Sequence, residues 1–537
     1  VAEKISVRSL TEIMRGGGNY ALIDVRERQE YEGGQIFGAT QIPRRLLEFK
    51  IQTLVPARDL PVILYDGDGS LSAPAALTLE RLGYSRAAWL EGGVEAWKAG
   101  AYPLVEGVNV PSKSFGEMVE SREGMPQVLP EELKSWLDSG QSVSIIEVRP
   151  PEEVRLTGSI PGAVNVPGVD LPVKIHDLAG PGKKVVLTCA GRTRGIIATQ
   201  TMRLLGQEVY DLKNGTMGWL LAGYDLQQEI PRGGAPSPGS RAAAETFARR
   251  LIDRQGIDLI SVEGLLELRR RADREAFYQF DVRSREEYEA GHIPGTAWLP
   301  GGQAIQCADE FVAVRGGNIV FYSGNLARAV VTAYWYRQMG FPRVFVLGGG
   351  TAAWEAAGGT LEAGWPPDPL PLGLEDARRR VQAISAPELK QMMDANPETP
   401  VIDVGRSISY GKGHIPGAHW VNRGRLEMKI GGLATGKENP VVCTCPKGYG
   451  ALLAAATLKD LGYGRVRSLE GGTEAWAAAG LPLEVGLSGV EGRPDDIFLQ
   501  PWERNRQQMS HYLNWEVKLA ENPFIRDYFK AYLSAGK

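Results

Sequence analysis

The chain is poor in the residues that build disulfide frameworks and metal sites. Its 537 residues hold four Cys and five His. Four Cys in so long a chain cannot staple a fold together. Cys443 and Cys445, two positions apart, have no second pair or His cluster beside them to complete a metal site. Long hydrophobic runs are also missing: none approaches the roughly 18 to 20 apolar residues that span a bilayer. The opening "VAEKISVRSL" lacks the apolar stretch of a signal peptide. A formal charge of -4 gives no general pull toward nucleic acid or anionic lipid. The expectation is a cytoplasmic protein with no cofactor, no metal, and no nucleic-acid or membrane partner.

What is present is repetition. A hydrophobic fraction of 43% and a charged fraction of 23% are those of an ordinary globular protein, and a chain of this length divides into several cores. Four segments open with a strand ending in an acid: Asp24-Val25-Arg26, Glu147-Val148-Arg149, Asp281-Val282-Arg283 and Asp403-Val404-Gly405, where the Arg is displaced to Arg406. Each continues through a turn written "GGQIFGA", "TGSIPGA", "AGHIPGT" or "KGHIPGA". From the acid to the residue that ends the next long apolar strand the separation is 42 in all four, which pairs Asp24 with Asp66, Glu147 with Cys189, Asp281 with Ser323, and Asp403 with Cys445. A Gly follows that slot by 17 positions and a Trp by 30 or 31. Repetition at fixed spacing means repeated structural units.

Within each unit, short apolar runs such as "VVLTC" alternate with helical-period segments such as "RGIIATQTMRLLG". That alternation predicts an α/β fold, each unit a mostly parallel sheet with helices on both faces. The expected divisions are domain 1 over 1–106, domain 2 over 127–230, domain 3 over 255–366, domain 4 over 375–485, and a helical tail over 490–537. The joints are "EGVNVPSKSFGEMVESREGMPQ", "IPRGGAPSPGS" and "AGWPPDPLPLG", with an extra helix expected in "RAAAETFARRLIDRQG". Met509, Tyr512, Leu513, Val517 and Leu519 lie at helical spacing in the tail, the pattern of a helix packed on the chain's own surface. A partner-binding helix is the alternative. His292 and His414 recur in the repeated turn, whereas His176, His419 and His511 read as surface or packing residues.

A strand that runs into a tight loop and then a helix gathers backbone N–H groups at the positive end of the helix dipole. A Cys in such a nest should have its thiolate favoured. In "CAGRTR" the nucleophile is Cys189, the loop residues Ala190, Gly191 and Thr193 shape the substrate pocket, and Arg192 and Arg194 supply charge for an anion. In "CPKGYG" the nucleophile is Cys445, with Lys447, Gly448 and Tyr449 lining the pocket; Pro446 removes one N–H, and Gly450 stands where Arg194 would. Asp66 and Ser323 are inactive occupants of the same slot: the Asp66 carboxylate fills the nest from within, and Ser323 keeps Arg328 but has no base to activate it. Cys443 reads as a core residue, and Cys307 has no motif around it. Phosphatase or arsenate-reductase chemistry fits less well, because Cys189 and Arg194 are separated by four residues rather than five. No Gly-x-Ser-x-Gly elbow surrounds either Cys.

The acid-x-Arg strand, the "GHIPGA" turn, the six-residue loop and the closing "EGG…AW" together resemble rhodanese domains, over roughly residues 5 to 485. The resemblance implies a thiosulfate sulfurtransferase: a Cys takes a sulfane sulfur from thiosulfate or a related anion, holds it as a persulfide, and passes it to cyanide or a thiol acceptor, including a protein thiol. It also implies pairing, since the family includes tandem forms in which an inactive domain precedes an active one. Asp66, Cys189, Ser323 and Cys445 then read as two such pairs in series, domain 1 serving domain 2 and domain 3 serving domain 4. Cys189, with the complete loop, is expected to carry most of the activity, and Cys445 to be weaker or directed at another donor. A sulfur-carrier or regulatory scaffold is the alternative function.

Overall fold

Each repeat folds around one five-stranded parallel sheet. The computed structural model describes residues 2–17, 19–180, 182–434, 436–500, 503 and 505–534; a few residues of the tail expected over 490–537 lie outside this set. In the first domain the strands are β1 (Glu3–Ile5), β2 (Ala21–Asp24), β3 (Thr40–Gln41), β4 (Val62–Tyr65) and β5 (Ala87–Leu90), ordered β1-β5-β4-β2-β3. The same order recurs in the other three sheets, and the pairings between named strands are parallel. Helices cover both faces, so the central strands are apolar throughout and their side chains divide between two cores. In the fourth domain Val441, Cys443 and Cys445 enter one hydrophobic cluster while Val442 enters the other. In the second, Val185, Leu187 and Cys189 lie on one side and Val186 on the opposite side. The period-two alternation of the strand therefore carries each slot residue to the end of an apolar row.

The acid-x-Arg motif is a buried clamp. Arg149 donates to Glu147 at 2.7 Å and to the carbonyl of Gly158 at 2.6 Å; Arg26 and Arg283 do the same with Asp24 and Gly34, and with Asp281 and Gly291. The ion pair ties the strand end to the conserved-spacing turn, and both charges are satisfied where neither could be buried alone. His292 and His414 are buried in that turn, each ring stacked on the Tyr four residues earlier.

The serial pairing expected from the order of slots is not what forms. The chain divides into two compact units, one made of Val1–Gly107 with Pro367–Phe498 and the other of Val108–Pro366 with Leu499–Lys537. Domain 1 is thus joined with domain 4, and domain 2 with domain 3. Each unit still holds one Cys slot and one silent slot, Asp66 with Cys445 and Ser323 with Cys189. Side chains explain the choice. In the first unit Glu48 of domain 1 is buried between Arg44 and Arg423 of domain 4, and Asn422 reaches Glu27 at 3.0 Å. In the second, Trp335 donates to Thr201 at 2.9 Å, and Arg328 pairs with Asp170.

Two segments expected at the margins are central to the second unit. The first joint contains a helix, Val110–Glu123, with Val110 to Val119 all buried. Its Phe115 packs against Trp335, Phe529 and Tyr532 at 5.0 to 5.9 Å. The tail forms a helix over Arg506–Lys518 that buries Met509, Tyr512, Leu513 and Glu516 and leaves Val517 exposed. It packs on the chain itself. The helix expected after "IPRGGAPSPGS" runs over Pro238–Gln255.

Candidate active site: two thiol loops in different surroundings

Each slot residue directly follows its strand and opens a short loop that leads into a helix, and the closing glycine motif braces it from behind. Gly93, Gly215, Gly350 and Gly472 all have positive φ, between 51° and 63°. A Cβ on any of them would overlap the carbonyl oxygen of Asp66, Cys189, Ser323 or Cys445 respectively. Only glycine supplies both the left-handed backbone and the close approach. The brace is also hydrogen-bonded: Thr216 N–H donates to the Cys189 carbonyl at 2.8 Å, and Thr473 N–H to that of Cys445 at 3.1 Å.

The Asp66 loop shows what such a nest holds. One carboxylate oxygen accepts from Gly69 N–H at 2.8 Å and Ser72 Oγ at 2.7 Å, and the other from Leu71 N–H at 2.8 Å. The side chain occupies its own anion site. In the Ser323 loop, Ala329 N–H donates to Ser323 Oγ at 3.3 Å. Arg328, which this loop keeps, is engaged by Asp170 and Glu287.

Cys445 is also buried, at 7% exposure against 2% for Cys189, but its loop has an exposed rim. Ala451 N–H donates to Sγ at 3.3 Å. Burial raises the thiol pKa, as does Asp403, whereas the N–H groups of Ala451, Gly448 and Gly450 favour the thiolate. Loss of one N–H to Pro446 therefore still leaves a working nest. Lys447 and Tyr449 are exposed at the loop's rim. Pro446 and Gly405 are matched: a Cβ at residue 405 would lie 2.7 Å from Pro446 Cδ, so the proline stands against the position that bears the clamp arginine in the other three domains. Arg406 does not substitute for it, being exposed. Asp403 is left buried without a clamp cation, with a bond from Gly405 N–H at 2.8 Å, and burial pushes its carboxyl up to about 7.

Cys189 is enclosed more completely, loop and all. It is buried, its S–H directed at the Arg192 carbonyl at 3.7 Å. Burial pushes the thiol up to about 12 even though Arg194 favours the thiolate. The expected depression of its pKa is overturned by desolvation, which outweighs the nest and the nearby charge. Neither arginine faces solvent as a free anion ligand. Arg192 makes paired bonds of 2.6 and 2.7 Å to Glu117 and also meets Glu120; Arg194 makes bonds of 2.6 and 2.8 Å to Glu153 and reaches Gln303 at 3.1 Å. Ala190 and Gly191 are covered by Met217, Tyr512 and Leu513, and Thr193 donates to Glu516 at 2.7 Å. Asp211, which no sequence motif marked, lies buried beside this loop; a Cβ on Gly195 would touch both its carboxylate and Cys189 Sγ. Burial raises Asp211 to about 8.

The comparisons with known proteins agree with this architecture. The rhodanese-like domain model matches residues 6–100, 129–222, 265–357 and 385–479. The chain belongs to the rhodanese family. A crystal structure of thiosulfate sulfurtransferase from Pseudomonas aeruginosa is 36% identical, superposes with a TM-score of 0.86, and is covered over 99% of both chains. The 3-mercaptopyruvate sulfurtransferase of Escherichia coli K12 is 27% identical over 249 residues, 38% of this chain and 88% of that protein. The thiosulfate sulfurtransferase GlpE of Shewanella oneidensis is 33% identical over 96 residues, 18% of this chain and 92% of its own. Sulfurtransferase activity is the activity of this rhodanese, and among the described residues no helix is long and apolar enough to cross a membrane.

Proposed function

We propose that this rhodanese moves sulfane sulfur from thiosulfate, or a related small anion, through a persulfide on Cys445. The observation that carries this reading is the contrast between the two loops: Cys445 Sγ accepts Ala451 N–H at 3.3 Å under an exposed rim of Lys447 and Tyr449, whereas Cys189 is covered. In the first half-reaction the Cys445 thiolate attacks the outer sulfur of thiosulfate, the S–S bond to the sulfonate sulfur breaks, and sulfite leaves with the bonding pair. In the second, cyanide or a thiolate attacks the outer persulfide sulfur and the Cys445 thiolate is regenerated, with thiocyanate or an acceptor persulfide as product. Lys447 attracts the dianion, and the N–H groups at the start of helix Tyr449–Asp460 hold the thiolate and persulfide charge.

Cys189 is the second sulfur-carrying thiol in this reading, held in reserve behind its cover. The ranking is therefore the reverse of that expected from the loop sequences, because access outweighs the fuller complement of arginines. The test is turnover of Cys445→Ser and Cys189→Ser with thiosulfate and with 3-mercaptopyruvate, against cyanide and a dithiol. Cys445→Ser should lose most turnover and the mass of the added sulfur. A Cys189→Ser enzyme that loses more would overturn the assignment. Transfer to a protein thiol but not to cyanide would identify a sulfur carrier.

A further inference from the structure

The second unit surrounds the Cys189 loop on two sides with helices that are attached very differently. Helix Val110–Glu123 is enclosed, ten consecutive residues of it buried. A Cβ on its Gly116 would lie 3.0 Å from the Thr193 methyl, so it is packed closely against the start of the Cys189 helix. The tail helix Arg506–Lys518 is held by one face only. Met509, Tyr512 and Leu513 rest on Met217, Ala190 and Leu220. Leu513 and Tyr512 come so close to Gly191 that a Cβ there would already touch both, at 3.6 and 3.9 Å. Lys113 Nζ lies over the Tyr512 and Trp515 rings, at 4.6 and 5.3 Å.

At its C-terminal end this helix carries Glu516, buried and bonded to Thr193. That position sets Glu516 among Glu117 and Glu120, with Arg192 shared between the acids. Three acids thus share one arginine, and burial raises the Glu117 carboxyl to about 8. Elsewhere the helix faces solvent, while Leu519, Ile525, Phe529 and Tyr532 beyond it are buried and tether the chain end. A cavity of about 20 Å³ beside Thr193 and Arg194 has room for one water and none for a sulfur oxyanion.

We propose that helix Arg506–Lys518 is a displaceable cap on Cys189: seated, it shuts the thiol away from sulfur donors, and released, it opens the "CAGRTR" loop to them. The buried Val110–Glu123 helix is the fixed wall of the site and the tail is its door. The functional consequence rests on Cys189 being a sulfur-carrying thiol, but the cap itself does not.

Site-resolved alkylation of the full chain by iodoacetamide, read by peptide mass mapping, separates the two. Local opening governs the reactivity of a covered thiol, so Cys189 should label at least ~100-fold more slowly than Cys445 in the unaltered protein. Leu513→Glu or Glu516→Ala should accelerate Cys189 by ~10-fold or more while Cys445 is unchanged. Labelling of Cys189 as fast as Cys445 in the unaltered chain, or no acceleration in either folded variant, overturns the cap. Hydrogen exchange on the unaltered chain provides a second reading should the variants not fold. Amides of 506–518 exchanging well before those of strand Lys184–Thr188 support displacement; exchange of both only through global unfolding overturns it. A released Cys189 that alkylates but takes no sulfur from thiosulfate leaves the cap standing and refutes the persulfide role of that thiol.

Discussion

Arg423 donates to Glu48 at 2.9 Å across 375 residues of sequence, and both side chains are buried. Arg44 flanks the same carboxylate at 3.3 Å. This triad joins the first and fourth domains. Burial alone would raise the Glu48 pKa, but the two guanidinium groups overcome it and hold the carboxyl at about 2. A depressed acid stabilises the folded state fully above its ordinary value near 4.5 and loses that contribution as pH falls through about 2. Glu48→Gln should therefore lower the stability of the first unit by about 3 kcal/mol at pH 7, and the deficit should shrink toward zero at the acid end of that window. Chemical denaturation across pH measures it; an equal deficit at pH 7 and pH 2 would exclude the ion triad as its source.

Deleting residues 1–107 should damage the fourth domain. The deletion removes Glu48 and Glu27, so that Arg423 loses its carboxylate partner and the Asn422 amide N–H group keeps only its bond to Asp495. The expected outcome is a lower melting temperature for the Cys445 domain and faster proteolysis around Arg423. Unaltered melting of that domain would show that the two domains do not depend on each other.

Asp403 predicts a pH dependence of opposite sign. Burial raises its carboxyl to about 7 from an ordinary 3.8. A raised acid stabilises the folded state below its unfolded value and loses that stabilisation as pH rises through the folded one. The fourth domain should thus lose about 4 kcal/mol between pH 4 and pH 8, and Asp403→Asn should flatten the profile in that window. Thermal melting of both proteins as a function of pH decides it.

Gly472→Ala should disable Cys445 without touching it. Position 472 has φ of 63°, and an added Cβ overlaps the Cys445 carbonyl. The loop has to shift or the helix behind it has to move, at a loss of at least about 1 to 3 kcal/mol in domain stability. Turnover and Cys445 alkylation should fall together. Normal turnover in a stably folded Gly472→Ala protein would show that the brace does not position the thiol.

Much of this molecule was legible along the chain because its signals are local. Strand alternation, the 42-residue interval from acid to slot, and the glycine that must admit a carbonyl oxygen are imposed by backbone geometry, and the backbone repeats them in each domain. The sequence alone therefore determined four rhodanese domains, the identity of the residue in each slot, and the internal satisfaction of the Asp66 nest. Partnership and access were decided elsewhere. Glu48 meets Arg423, and Thr193 meets Glu516, through contacts that span more than 300 residues and leave no periodic trace. Desolvation likewise depends on everything packed around an atom: "CAGRTR" reads as an activated thiol, yet Met509, Tyr512 and Leu513 close over its loop. Tertiary packing, acting through burial, turned the more complete loop into the covered one and left the proline-bearing loop of Cys445 with an exposed rim.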